Sequence, residues 1–498
     1  MMSTRSMALV LTCLLVIWAC EPSENSHSSN LLFQTISAAQ SGIDFQNDVQ
    51  YTEEFNVYTY RNFYNGGGVG IGDINNDGLS DLYFCGNQVD NKLYLNRGNF
   101  QFEDVTEQAG VACPNVWSTG VSMADINQDG WLDLFVTKAG APGGENRHNE
   151  LFINNGDGTF TEQAEAYGLA DEGLSTHAAF FDYDKDGDLD CYLLNNSVRS
   201  VSGYDLIEGL RETPDTDGGN RFYRNDGGTF VNVSQEVGVY SSAIGFGLGV
   251  TIGDVNGDGW QDMYISNDFF ERDYLYINQQ DGTFRESLVE GIQELSLSSM
   301  GADMADLNND GFPEIFVTDM LPEKDARMKT KTAFENWDKY QLNIREGYHR
   351  QFTRNALQFN LGNGQFSEVS RFAGVHGTDW SWGALMADFD LDGFRDIYVA
   401  NGIFKDLTDQ DYINFYADPE TVRAIMRREE GVITKLVDAI PSVPISNYAF
   451  SHRGQWEFEN KAKQWGLDQP GFSNGSAYGD LGNDGDLDLV VNNVNMPP

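Results

Sequence analysis

A nonapeptide rich in aspartate recurs seven times in the 498 residues, each copy runs into a short apolar segment, and a hairpin-like segment follows most copies. Together these observations predict an all-β fold, a seven-bladed β-propeller whose blades of about four strands repeat every 50 or so residues. The first copy is Asp73-Ile-Asn-Asn-Asp-Gly-Leu-Ser-Asp81; the others begin at Asp125, Asp182, Asp254, Asp306, Asp388 and Asp480.

The loop comes first. Calcium, a hard cation, takes six to eight oxygen ligands from carboxylates, amides, main-chain carbonyls and water. Side chains at positions 1, 3 and 5 of a tight loop converge, a carbonyl at 7 adds a ligand, and position 9 closes the shell. In the first copy these are Asp73, Asn75, Asp77, the Leu79 carbonyl and Asp81. The second offers Asp125, Asn127, Asp129, Trp131 and Asp133; the third Asp182, Asp184, Asp186, Asp188 and Asp190. The fourth offers Asp254, Asn256, Asp258, Trp260 and Asp262; the fifth Asp306, Asn308, Asp310, Phe312 and Glu314. The sixth offers Asp388, Asp390, Asp392, Phe394 and Asp396, and the seventh Asp480, Asp484, Asp486 and Asp488. Position 7 acts through its carbonyl throughout. Glycine at position 6, Gly78 in the first copy, permits the turn. Up to seven Ca2+ ions are expected. Gly482 removes the side chain at position 3 of the last copy and Glu314 lengthens the ligand at position 9 of the fifth, so the Asp480 loop ranks as the weakest site.

An EF-hand would place a bidentate glutamate at position 12 and continue as a helix. Here position 12 is Phe84, Val136, Leu193, Ile265, Val317, Val399 and Val491, all apolar. Runs such as Leu82-Tyr-Phe84 and Ile397-Tyr-Val399 read instead as strands buried on both faces. EF-hands are excluded.

The hairpin comes next. Asn91-Lys-Leu-Tyr-Leu-Asn96, followed by Gly98 and a terminal Gly110-Val111, recurs from Asn149, Asn220, Asp273 and Asn355, with a weaker copy at Asn447-Tyr-Ala-Phe-Ser-His452. Its alternation between Asn and Gly boundaries predicts two further strands. The last loop has no such partner before Pro498, yet Leu32 to Ile43 matches the repeat tail Phe102 to Val111. That segment is expected to supply the outer strand of the seventh blade and close the ring. The Asn-x-Leu-Tyr strand of that blade is missing, and the natural polypeptide is expected to continue beyond Pro498.

These repeats resemble the FG-GAP/VCBS type of integrin α-subunit propellers and many bacterial secreted proteins. Tyr64-Asn-Gly-Gly-Gly-Val-Gly70 and Thr378-Asp-Trp-Ser-Trp-Gly383 resemble the cartilage acidic protein/UnbV-type group, whose members often carry a C-terminal ASPIC/UnbV domain that this chain does not contain. The resemblance covers nearly all of residues 31–498 and implies a seven-bladed propeller with calcium in its blade loops.

The flanks add a location. Arg5 precedes the apolar run Met7 to Trp18, too short to span a bilayer comfortably, and Ile17-Trp-Ala-Cys20 resembles a bacterial lipobox. Residues 1–19 then read as a signal peptide, Cys20 as the lipidated residue and 20–30 as a tether, although Trp18 departs from the small residue usual there. Ordinary secretory cleavage is the alternative. The expected location is a bacterial cell envelope, lipid-anchored to the outer membrane and facing the surface or the periplasm. Of the body's cysteines, Cys85, Cys113 and Cys191, no spacing suggests zinc; buried thiols are favoured over a Cys85–Cys113 disulfide.

The net charge of −45, from 76 acidic and 31 basic residues, argues against a nucleic-acid partner. With 40% hydrophobic and 13% aromatic residues the chain can nevertheless build a core. Function is sought in the insertions, 197–219, 320–354 and 403–446. In the last, Asp418 to Arg428 and Val432 to Ala439 read as helices. The 320–354 stretch is a basic island holding Lys324, Arg327, Lys329, Lys331, Lys339, Arg345, Arg350 and Arg354. It reads either as a surface for an acidic glycan or protein, with Lys329, Lys331, Arg345 and Arg350 as contacts, or as charges paired with neighbouring aspartates. Trp380 and Trp382 read either as a sugar-stacking pair at the propeller mouth or as packing between blades.

No HExxH, GxSxG or P-loop motif is present. The leading expectation is a calcium-stabilised envelope binding or adhesion module for a glycan or surface protein, held to the membrane only by its lipid. The alternatives are a polysaccharide lyase or glycoside hydrolase working across the central cleft, and a structural component of a larger assembly.

Overall fold

Each acidic loop joins two antiparallel strands. In the first repeat Val69–Gly72 pairs with Asp81–Phe84, with Gly72 opposite Asp81 and Val69 opposite Phe84. The chain then turns back twice, and Lys92–Asn96 and Phe102–Asp104 complete a four-stranded meander. The computed structural model describes residues 31–498 apart from 142–143, 145, 200–208, 332–335 and 455. Cys20, the signal segment, the tether and part of the 197–219 insertion therefore lie outside the described residues.

The same meander recurs in sheets whose first strands are Ser118–Ala124, Ser175–Phe181, Gly247–Gly253, Ala302–Ala305 and Ser381–Ala387. These first strands touch one another in sequence around an axis. The cycle passes through Ser473–Gly479 and returns to Val69–Gly72.

The expectation of seven blades is overturned: six four-stranded blades form. The seventh loop joins Ser473–Gly479 to Asp488–Asn493 in a two-stranded sheet only. The physical reason is that an acidic loop encodes just the inner hairpin of a blade. The outer hairpin has its own code, present six times.

The predicted closing strand does not form either. Residues Ala38–Ser41 are a short helix ended by Gly42 in the left-handed region, as Thr106–Ala109 is ended by Gly110. The resemblance between the two segments is thus one of local conformation. With no third strand to pair with, the segment attaches through one main-chain hydrogen bond, from Phe33 N–H to the Trp465 carbonyl (2.8 Å), and through side chains: Phe33 packs on Trp465 and Phe389, and Ile43 and Phe45 pack with Leu82, Phe84 and Val490.

Second strands are buried along their whole length in the six blades, as in Asp81–Phe84 and Asp396–Asn401. Neighbouring blades cover both of their faces, which is why these runs are continuously apolar rather than alternating. Outer strands such as Phe102–Asp104 are short and charged on their exposed side, which blunts the sheet edge. Cys85, Cys113 and Cys191 are buried free thiols, so the disulfide does not form.

At the end of the inner strands away from the loops, an apolar cap covers the axis. It joins Tyr60, Phe63 and Tyr64 to Trp117, Leu174, Met300, Trp382 and Phe472, which precede or begin the inner strands, and to Tyr412, Val437 and Ile440 from the last insertion. That insertion contains helices Gln410–Tyr416, Pro419–Arg427 and Val432–Ala439. Asp418 caps the second, accepting from the Glu420 and Thr421 N–H groups, with Pro419 in its first turn. Among the described residues no helix is long and apolar enough to cross a membrane.

Candidate metal centres

All seven loops share a frame in which the position-6 glycine N–H donates to the first aspartate and the position-2 N–H donates to the position-9 carboxylate. In the first, Asp73 accepts from the N–H of Asp77 (Oδ1, 3.1 Å) and of Gly78 (Oδ2, 2.8 Å). The Leu79 N–H donates to Asp77 Oδ1 at 2.9 Å. Asp81 accepts from Ile74 N–H (3.0 Å) inside the loop and from Asn96 N–H (2.8 Å) on the third strand. The frame bends the chain so that position 4 adopts positive φ in every copy, from Asn76 to Asn483. The sequence reading missed this; the frequency of Asn at that position was the available signal.

In four loops position 3 is asparagine, and its amide N–H donates to the carboxylate at position 5, as from Asn127 to Asp129 (2.9 Å). In the third and sixth loops it is aspartate. There carboxylate oxygens of Asp182, Asp184 and Asp190, and of Asp388, Asp390 and Asp392, lie within 4.8 Å of one another. Asp182 Oδ1, Asp390 Oδ1, Glu314 Oε1 and Asp396 Oδ1 are buried and accept no hydrogen bond. Convergent carboxylate oxygens without donors are a donor set for a hard divalent cation. The residues present therefore fit calcium, best in the third and sixth loops. In the seventh, position 3 is Gly482, which has no side chain to supply a ligand, and a Cβ there would crowd the Phe100 ring at 3.1 Å.

Burial, reinforced by the other loop carboxylates, pushes the position-9 groups up: to about 7 for Asp81, Asp190, Asp262 and Glu314, about 6 for Asp133 and about 8 for Asp396. Without a cation these carboxyls titrate around neutral pH, Asp133 losing its proton first and Asp396 last.

Neighbouring loops are wired together. The position-4 amides of Asn76, Gln128 and Asn309 donate to the position-6 carbonyls of the next loop, Gly130, Gly187 and Gly393. The last residue of the hairpin motif does the same from below. Its side chain donates to the position-2 carbonyl of the preceding loop: Asn154 to Ile74, Asn278 to Tyr183, Asn360 to Val255 and, closing the ring, Asn96 to Leu481.

The other sequence candidates are dispersed. Trp382 is buried in the cap, its Nε1–H donating to the Gly402 carbonyl (2.7 Å), and Trp380 packs beside it at 6.2 Å between ring centroids. Lys331 is held by Asp406 (3.0 Å) and Asp409 (2.6 Å) with little exposure, and Arg327 binds Asp379 (2.7 Å). Lys329 pairs with Asp325 and Arg345 with Glu346. Arg350 reaches Gln293 at 3.5 Å, and Arg354 is buried between Glu294 and Glu368. Much of the basic island is thus neutralised, and three of its ion pairs, Arg327–Asp406, Lys331–Asp406 and Lys331–Asp409, fasten the insertions to each other.

The FG-GAP-like repeat profile matches residues 73–136, 139–193, 205–265, 254–317 and 348–399, taking in six of the seven loops. The chain belongs to the FG-GAP-like repeat family. Cartilage acidic protein 1 of Mus musculus is 29% identical over 206 residues, 41% of this chain and 29% of the relative. The Xenopus tropicalis protein of that name is 28% identical over 246 residues, 48% of this chain and 34% of the relative. Human integrin alpha-6 is 33% identical over 85 residues, 15% of this chain and 8% of the relative. The matches span about a third or less of the length of these curated relatives. FG-GAP repeats arranged in this way make an integrin α-like β-propeller.

Proposed function

We propose that this FG-GAP propeller is a calcium-stabilised binding module of a bacterial cell envelope, anchored through Cys20 and presenting its insertion-built cap to a surface protein. The observation that carries this reading is the separation of the two ends. The inner strands run from the cap to the acidic loops, a span of roughly 20 Å at about 3.3 Å per residue. The loops then act as scaffold and the cap is free for a partner.

The cap exposes apolar side chains that the fold does not need. Met426 is 79% exposed, and Val422, Ile413 and Tyr416 lie on the same pair of helices. Exposed apolar groups on two adjacent helices suit a protein partner. Replacing Val422 and Met426 together by glutamate is expected to abolish retention of the soluble body on envelope preparations, with the thermal midpoint within about 3 °C of wild type. Unchanged retention would contradict the proposal. A glycan partner is favoured by a different feature: Trp337, 68% exposed, stacks on Tyr340 with ring centroids 5.5 Å apart and makes an aromatic platform. Trp337→Ala should then remove binding on a glycan array while leaving protein capture intact.

The wiring of the loops makes calcium uptake cooperative. Gln128 lies at the surface and holds the third loop through Gly187, so Gln128→Ala should flatten the calcium isotherm at little cost in stability. An isotherm equally steep in both proteins would refute the coupling.

A further inference from the structure

Aligned on the first aspartate of the loop that follows each, the seven inner strands place Gly68, Gly120, His177, Gly249, Gly301, Gly383 and Gly475 at one level, five residues before it. Six of these are glycine, and at four of them the backbone of the neighbouring inner strand comes within 3 Å of where a Cβ would stand. A Cβ on Gly301 would stand 2.4 Å from the Trp382 carbonyl oxygen, one on Gly475 2.4 Å from that of Gly67, and one on Gly249 2.9 Å from that of Met300. Such approaches exclude any side chain. The third blade alone breaks the ring. His177 supplies a large side chain, and its Nδ1 lies 3.0 Å from where a Cβ on Gly120 would be, so the imidazole reaches across the face of the second blade.

The imidazole opens onto a cavity of about 290 Å³ on the propeller axis, beneath the apolar cap. Its polar lining includes Thr119, Thr176, Asn474 and Ser476 beside His177, and its apolar lining includes Trp117 and Trp382. None of its lining residues is an aspartate, glutamate, lysine or arginine. Three polar atoms in this wall lack partners: the Tyr60 hydroxyl, Asn474 Oδ1 and Ser476 Oγ. The Asn474 amide is oriented by donating to the Tyr64 carbonyl (3.1 Å), which leaves its buried Oδ1 without a donor, and Ser476 Oγ has no hydrogen bond. Burial lowers the pKa of His177, so the ring is neutral and offers one donor and one acceptor.

We propose that this axial cavity binds a neutral, hydroxyl-rich molecule of monosaccharide size, with His177, Asn474 and Ser476 as its hydrogen-bonding partners. Charged ligands are disfavoured because no opposite charge lines the wall to offset their desolvation. The volume lies at the lower end of the range for small-molecule pockets. Aromatic walls with a few fixed polar groups suit a sugar ring, whose faces are apolar and whose rim carries hydroxyls. The site is separate from the exposed helices of the cap, so the Val422 and Met426 substitutions should leave it unchanged.

Saturation-transfer difference NMR on the soluble body with D-glucose, D-galactose, L-rhamnose, lactose and glycerol tests this. At least one monosaccharide should give a signal, with an affinity that falls about tenfold in His177→Gly and about threefold in Ser476→Ala. Glycine is the residue of the other six inner strands at this level, so the thermal midpoint should stay within about 3 °C. His177→Asn provides the same readout should the glycine variant fail to fold. A lactose signal as strong as that of its monosaccharides would identify the terminal sugar of a longer chain as the occupant; loss of signal with lactose would identify a free sugar. No signal from any sugar up to about 100 mM, or signals equal in wild type and the His177 variants, would overturn the proposal and leave a water-filled cavity.

Discussion

Chelating divalent cations should lower the thermal midpoint of the propeller body by about 10 °C, and added calcium should restore it. A cation that binds only the folded chain stabilises it by about 2.7 kcal/mol per site at a concentration 100 times its Kd. Four or more such sites acting on a body of this length, which loses about 1 kcal/mol of stability per degree at its midpoint, give a shift of that size. The loop carboxylates converge with unsatisfied buried oxygens at Asp182, Glu314, Asp390 and Asp396. Differential scanning calorimetry with and without chelator checks it, and magnesium at equal concentration should restore less, because Mg2+ demands a stricter octahedral shell.

The second large effect is an inverted pH dependence. After chelation, the protein should be more stable near pH 5 than near pH 8. The position-9 carboxyls stand at about 6 to 8 in the folded chain, from Asp133 to Asp396, against an ordinary value of about 3.9 for aspartate. A raised carboxyl pKa means that the folded state binds more protons than the unfolded state across that interval. Its stabilising contribution is therefore complete below about pH 4 and lost as pH rises through about 6 to 8. With calcium in excess the cation takes the place of the proton, and the slope should vanish or reverse. Thermal midpoints at pH 5 and pH 8, each with calcium and with chelator, separate the two regimes. A chelated protein whose midpoint does not fall between these pH values would show that the position-9 groups are already ionised and stabilised by something else.

What the sequence revealed and what it concealed follows from the range of the interactions involved. The loops, the buried second strands, the capped helix Pro419–Arg427 and the helix Val432–Ala439 are encoded within a dozen residues each, and they are present. The tail motif also carried true local information, since Ala38–Ser41 repeats the short helix and left-handed glycine of Thr106–Ala109. Its assignment as a strand went wrong because pairing depends on a neighbour. The blade count failed for a related reason: counting loops counts inner hairpins, and a blade also needs its outer hairpin. The basic island illustrates the long-range case. Arg327, Lys331 and Arg354 look available in sequence, but their carboxylate partners lie between 14 and 78 residues away. His177 is the opposite case, legible once the inner strands are aligned yet invisible to a motif search, because its meaning lies in the six glycines that share its level.

The account rests on the acidic loops as cation sites. Equilibrium dialysis of the metal-stripped body against calcium, with metal content counted by mass spectrometry, tests that most directly. The result expected is uptake of about six calcium ions per chain, reduced by about one when Asp182, Asp184 and Asp190 are replaced together by asparagine. Uptake of none, or uptake that is unchanged by that substitution, would contradict the account.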